Sequence, residues 1–181
     1  RDRQNFKGKL LVFKTRNIRS KMAKTIAFVD NFDEVDLFLK TFDFYLDKDT
    51  VFIAGDAMAY EELKRRDIES KPLDYYRDIK EYNEAEKDAM NLSGEWFIDS
   101  EGNDFTMYED ISLGASMQRE IFLNFNYIMR AILDVSNILK SENPEKILLL
   151  RDGSVFNSVY GGFDLFLHKE AFLILMKNRK G

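Results

Sequence analysis

The 181-residue chain has no cysteine. That excludes a disulfide framework, thiolate catalysis and cysteine-ligated zinc. A single histidine, His168, leaves no room for a histidine cluster, so no metal site is expected. The longest unbroken apolar run, Ala171 to Met176, is six residues. A bilayer span needs about 20. No apolar core of signal-peptide length follows the basic N-terminus. No strand is followed by G-x-G-x-x-G or G-x-x-x-x-G-K-[ST], and there is no G-x-S-x-G elbow to place a nucleophilic serine. The expected location is the cytoplasm, with peripheral attachment to a membrane left open.

What is present is the composition of a globular protein: 45% hydrophobic and 33% charged residues, enough to bury a core without staples. Charge is uneven. Arg1 to Lys24 carries nine basic residues and one acid, a net +8, against −5 for the whole chain. This arm, residues 1–24, reads as a solvated tail, leader or linker packing little against the rest. Its patch KLLVFK is the one segment able to add an edge strand. The arm lacks the repeated aromatics on which single-strand binders stack bases, so nucleic acid is not an expected partner. Residues 25–181 are expected to form one domain.

Lys24 to Asp30 reads KTIAFVD, a continuous apolar run typical of a strand buried on both faces. Asn31 with Glu34 three residues on is a box-like helix start. Val35, Phe38, Leu39 and Phe42 then recur at helical spacing. TVFIAGD (50–56) is a second buried strand, followed by a short helix. Ile68 to Lys71 reads as a third strand, closed by Pro72. Ala85, Ala89, Leu92 and Trp96 mark a charged helix, with Trp96 and Phe97 read as core. Gly102 to Asp110 reads as a loop. From Ala115 to Lys140 the period stays near 3.6, until Asn143-Pro144 stops the helix. KILLLRD (146–152) is a further buried strand. Beyond it AFLILM fits either strand or helix.

Alternating buried strands and helices predict a Rossmann-like α/β three-layer sandwich with a mostly parallel sheet, order about 3-2-1-4, and long flanking helices. Ligands of such sheets bind at the carboxyl ends of the strands, where the order reverses. Three strands end there in aspartate: Asp30, Asp56 and Asp152, with Asn31, Gly153 and Ser154 beside them. Each aspartate alone is most simply a helix cap. Together, without a phosphate loop, they suit the hydroxyls of a sugar better than a pyrophosphate, and no cofactor is expected. One carboxylate is suited to act as general base towards a hydroxyl. Ser112 and Gly114, opening the long helix, are expected near the edge of the same crevice, or as a plain cap and a close-packing glycine. His168 has no identifiable serine partner and reads as a surface or core-edge residue. No catalytic residue follows from the pattern.

The segments YEELKRRDIESKPLDYY, EAEKDAMNLSGEWF, YEDISLG and SENPEKILLL resemble the N-terminal halves of bacterial and archaeal surface-carbohydrate glycosyltransferases of the two-Rossmann-domain (GT-B-like) type. The likeness runs from about Met22 to Asp152, and DAMNLSGEWF and ISLG are its most specific parts. It implies an acceptor-side domain in surface polysaccharide biosynthesis, with a sugar or glycan acceptor as partner. A C-terminal donor-binding domain or partner chain would be missing, so activity of this chain alone is not expected. The alternatives are a non-catalytic interaction module and a small nucleotide-binding α/β domain.

Overall fold

The computed structural model describes residues 9–14, 24–46, 48–151 and 164–178, with side chains described over 24–46, 48–150 and 168–176. The elements run β1 (Lys9–Lys14), β2 (Thr25–Val29), α1 (Val35–Phe42), β3 (Thr50–Ala54), α2 (Ala57–Arg65), β4 (Ser70–Pro72) and α3 (Ile79–Glu95). They continue with β5 (Met107–Tyr108), β6 (Ile111–Ser112), α4 (Leu113–Ser116), α5 (Gln118–Glu142), β7 (Lys146–Arg151) and α6 (Asp164–Asn178). Asp152, Gly153 and Ser154 lie outside the described residues. The chain divides into two compact units, 1–77 with 134–181, and 78–133.

The first unit holds a five-stranded sheet in the order β1-β7-β2-β3-β4. The strands β7, β2, β3 and β4 are parallel, and β2 lies between β7 and β3. This is the predicted 3-2-1-4 order. KLLVFK adds the antiparallel edge strand β1, with Lys9 opposite Arg151 and Lys14 opposite Lys146. At the other edge β4 ends in Pro72, which has no N–H to donate and suits an edge.

Successive side chains of a strand point to opposite faces, and β2 uses both. Ile26 and Phe28 join Ile53, Ile147 and Leu149 on one face, covered by Val135, Ile138 and Leu139 of α5 and Ala171, Phe172 and Met176 of α6. Ala27 and Val29 join Phe52, Ala54, Leu148 and Leu150 on the other, covered by α1 and α2. All five residues of β2 are buried, which is why that strand reads as an unbroken apolar run. The result is an α/β three-layer sandwich. AFLILM is helical: Phe172 and Met176 face the core while Ile174 is exposed.

Helix boundaries follow local chemistry. The Asn31 side chain accepts from the Glu34 N–H at 3.2 Å and opens the 3-10 turn that leads into α1. Asn143, at φ 41°, takes the left-handed conformation after α5, and its N–H donates to the Leu139 carbonyl at 3.1 Å. The Glu142 carboxylate is buried at that helix end, where the dipole disfavours a negative charge. Burial pushes it up, but hydrogen bonds from Lys24, Lys71 and Tyr76 prevail and hold it down at about 2.

In the second unit α3 buries Ala85, Ala89 and Ser93. The stretch read as a loop contains a two-residue hairpin pairing Met107 with Ser112 and Tyr108 with Ile111. Its central residues, Glu109 and Asp110, both have positive φ, as a tight hairpin requires. Phe97 is buried, and Trp96 packs edge-on against it with centroids 5.8 Å apart. The first sixteen residues of α5 belong to this unit and the remainder to the first. Among the described residues no helix is long and apolar enough to cross a membrane.

Candidate functional site

The polar centre of the first unit lies at the carboxyl end of β2. Beyond β2 the order reverses, because β3 and β4 follow on one side and β7 lies on the other. Asp30 stands there, 3% exposed. The neighbouring strand β3 runs into Gly55, whose N–H donates to the Val29 carbonyl at 2.8 Å. A Cβ on Gly55 would lie 2.5 Å from the Asp30 carbonyl oxygen and 2.9 Å from its Cα. Only glycine permits this approach. Gly55→Ala is expected to force the two strand ends apart and cost about 1–3 kcal/mol. Urea denaturation followed by circular dichroism checks this.

Around Asp30 the charges are arranged in sequence. Glu34 Oε2 accepts from the Asp30 N–H at 3.3 Å. Its other oxygen pairs with the Lys169 ammonium, which also stands 3.4 Å from Asp30 Oδ2. Lys169 is itself buried, 4% exposed. Asp30 Oδ2 has no hydrogen-bond partner among the described residues. Burial pushes the Asp30 carboxyl up to about 7; Lys169 and His168 pull the other way, and Glu34 adds to the rise. Such a group changes charge near neutrality, the condition a general base needs.

Behind this pair lies a second one. His168 Nε2 is 3.0 Å from Oδ2 of the buried Asp134, and Arg77 approaches the other Asp134 oxygen at 3.4 Å. The His168 ring rests against Phe28, centroids 6.1 Å apart. It is a core-edge residue with a carboxylate partner. Among the described residues no group of three or more Asp, Glu or His is placed to hold a metal ion.

Several expected site residues have structural duties. Asn31 caps the turn into α1, and Asp56 caps α2, its Oδ1 accepting from the Ala59 N–H at 2.6 Å. They stand on adjacent strand ends with Asp30, because Val29 is in register with Ala54. Ser112 and Gly114 belong to the second unit. Ser112 caps α4, its Oγ accepting from the Ala115 N–H at 2.9 Å. Hydrogen bonds from Ser112 and Thr106 hold the Asp104 carboxyl below the usual carboxylate range. A Cβ on Gly114 would fall 2.3 Å from the Phe97 Cβ, so that glycine permits close packing.

The sequence pattern marks Glu34 only as a capping residue and does not single out Lys169, Asp134 or Arg77. One signal for Lys169 was present. It shares a stripe with Phe172 and Met176, at i, i+3 and i+7, which sets a cation on the apolar face of α6.

The chain is thus a Rossmann-like α/β protein with a buried, carboxylate-centred charge cluster at the topological switch point. Compared with known proteins, it matches no protein-family model, no curated protein and no solved structure.

Proposed function

We propose that the chain is the acceptor-side domain of a glycosyltransferase-like protein of surface polysaccharide biosynthesis, and that its β2 rim binds a hydroxyl of a sugar or glycan acceptor. The observation that carries this reading is Asp30: a carboxyl buried at the strand end beside Lys169 and Glu34, and titrating near 7. Asp30 Oδ2 has no exposed surface, so the reading requires Lys169 and Glu34 to move aside; a hydroxyl then donated to that oxygen gains a charge-assisted hydrogen bond, roughly twice as strong as a neutral one. In the transfer the acceptor oxygen bonds to the anomeric carbon of a nucleotide-sugar. The bond from that carbon to its phosphate leaving group breaks, and Asp30 takes the acceptor proton. The donor is held by a further domain or partner chain. Asn31 and Asp56 flank the acceptor, and Asp152, Gly153 and Ser154 are the remaining proposed contacts.

Amide chemical shifts test the reading. Methyl glycosides are expected to move the Asp30 and Gly55 signals, and Asp30→Asn to weaken that response. If nucleoside diphosphates move these amides while glycosides do not, the site binds nucleotide and the acceptor reading fails.

A second reading, an interaction module, draws on the second unit, where Phe105, Met107, Tyr108, Ile111 and Leu113 are all exposed. Apolar side chains left in water in such number mark contact surfaces. Sedimentation showing a stable dimer that Tyr108→Asp dissolves would favour it.

A further inference from the structure

Helix α6 carries two basic side chains at consecutive positions, and each meets a buried carboxylate on a different element. Consecutive residues of a helix point about 100° apart. Lys169 thus reaches Asp30 and Glu34 beyond the end of β2, while His168 reaches Asp134 of α5 at 3.0 Å. Beside these pairs α6 holds to the sheet through apolar contacts. Ala171, Phe172, Leu173 and Met176 pack on the Ile26–Phe28 face, with the Phe172 and Phe28 rings 5.2 Å apart.

The charges in this contact do not balance. Asp30, Glu34 and Asp134 are carboxylates largely withdrawn from water, and the ammonium buried with them is that of Lys169. Arg77 reaches Asp134 at 3.4 Å from a half-exposed position and also pairs with the exposed Asp74. A carboxylate held out of water without enough cation beside it is costly. Protons supply what is missing. One sits on Asp30, whose carboxyl burial pushes up to about 7 against the pull of Lys169 and His168. The other sits on His168, because an imidazolium gives Asp134 an ion pair where a neutral ring gives only a hydrogen bond. Histidine is the side chain that changes charge in the physiological range.

We infer that α6 is a proton-operated latch: with Asp30 and His168 both protonated the helix is seated against β2 and α5, and loss of the two protons above neutrality releases it ahead of the sheet. With both protons gone, three carboxylates crowd one buried ammonium, and lifting α6 admits the water that relieves them. The seated helix binds more protons than the released one, so its seating weakens as the pH rises. The latch is independent of the acceptor reading, since it concerns how α6 is held and not what the rim binds.

Native-state hydrogen exchange on the full chain, read amide by amide between pH 6 and pH 8 and corrected for intrinsic exchange, tests this. Each proton lost on release is worth up to about tenfold per pH unit. Protection at Phe172 and Met176 is expected to fall by about tenfold to a hundredfold over this range, and that at Ala27 and Phe28 of β2 far less. Asp30→Asn and His168→Gln each remove one titrating group and should each flatten the fall, and the double variant should abolish it. The chain has one histidine, so the imidazole C–H signal is unambiguous. Its titration midpoint is expected to move in Asp30→Asn, because groups within one cluster titrate together. If Phe172 and Met176 keep step with Ala27 and Phe28 at every pH, α6 opens only with the whole sheet and the latch is overturned. If His168→Gln leaves the fall unchanged, and the imidazole titrates alike in wild type and Asp30→Asn, His168 takes no part and the inference fails.

Discussion

Asp30→Asn is expected to reverse part of the protein's dependence on pH. In the unfolded chain Asp30 loses its proton near 3.8; in the folded chain it keeps it until about 7. Between these values the folded state binds more protons than the unfolded one, so stability falls as pH rises. The span corresponds to about 4 kcal/mol, since each pH unit is worth about 1.4. Glu142 acts in the opposite direction. Its folded value is held at about 2 against an ordinary 4.5, so its contribution is full above 4.5 and lost as the pH drops towards 2. The joint contribution of these two groups is therefore largest in mild acid, at about pH 4–5, and declines towards neutrality. Asparagine cannot ionise. The difference in unfolding free energy between the variant and wild type should move by about 4 kcal/mol from pH 4 to pH 8, in the variant's favour at pH 8. Urea titrations at one-unit intervals read this directly. A difference that does not change with pH would show that Asp30 titrates as an ordinary aspartate.

Lys169→Met should produce the largest loss of any single substitution near the rim. Lysine 169 is the cation between two carboxylates, Asp30 and Glu34, all three largely withdrawn from solvent. Removing one member of a buried ion cluster leaves charge without compensation, at about 3–5 kcal/mol. The loss should shrink below neutrality, where Asp30 takes up its proton. Adding Asp30→Asn to the lysine variant should recover part of it, because one of the two stranded charges is gone. Chemical denaturation of the four proteins in this double-mutant cycle gives the coupling. A loss under about 1 kcal/mol would place Lys169 among ordinary solvated ion pairs.

These two residues also mark the limit of what the sequence discloses. Strand β2 was legible because burial on both faces leaves no polar residue between Thr25 and Asp30, and β3 and β7 share that signature. The order of the sheet followed from the alternation of strands with helices. Asp30 was legible as a strand-end residue. Its environment was not, because the groups that set it lie far along the chain. Lys169 and His168 come from α6, and α6 packs where the Phe172 and Met176 stripe finds the Ile26–Phe28 face of β2. A one-dimensional pattern shows that a lysine sits on an apolar stripe but not which carboxylate it meets. Asp56, Ser112 and Gly114 went the other way. Their local roles as caps and close-packing positions were visible in their spacing and are fulfilled locally.

The place of β7 in the sheet bears on how the protein is made. Strand β7 lies between β1 and β2, yet it is the last strand among the described residues. Among the described residues strand β1 pairs with β7 alone, and the whole segment 15–145 must be translated between them. At about 5–20 residues per second that delay is on the order of ten seconds. Strands β2, β3 and β4, with α1 and α2, can assemble during this interval through contacts close in sequence. Strand β2 must meanwhile present one unpaired edge, flanked by Ile26 and Phe28 with their covering helices not yet made. An open apolar edge is a template for pairing with another chain. Slow translation between α2 and β7 is therefore expected to lengthen the time for which that edge stands open.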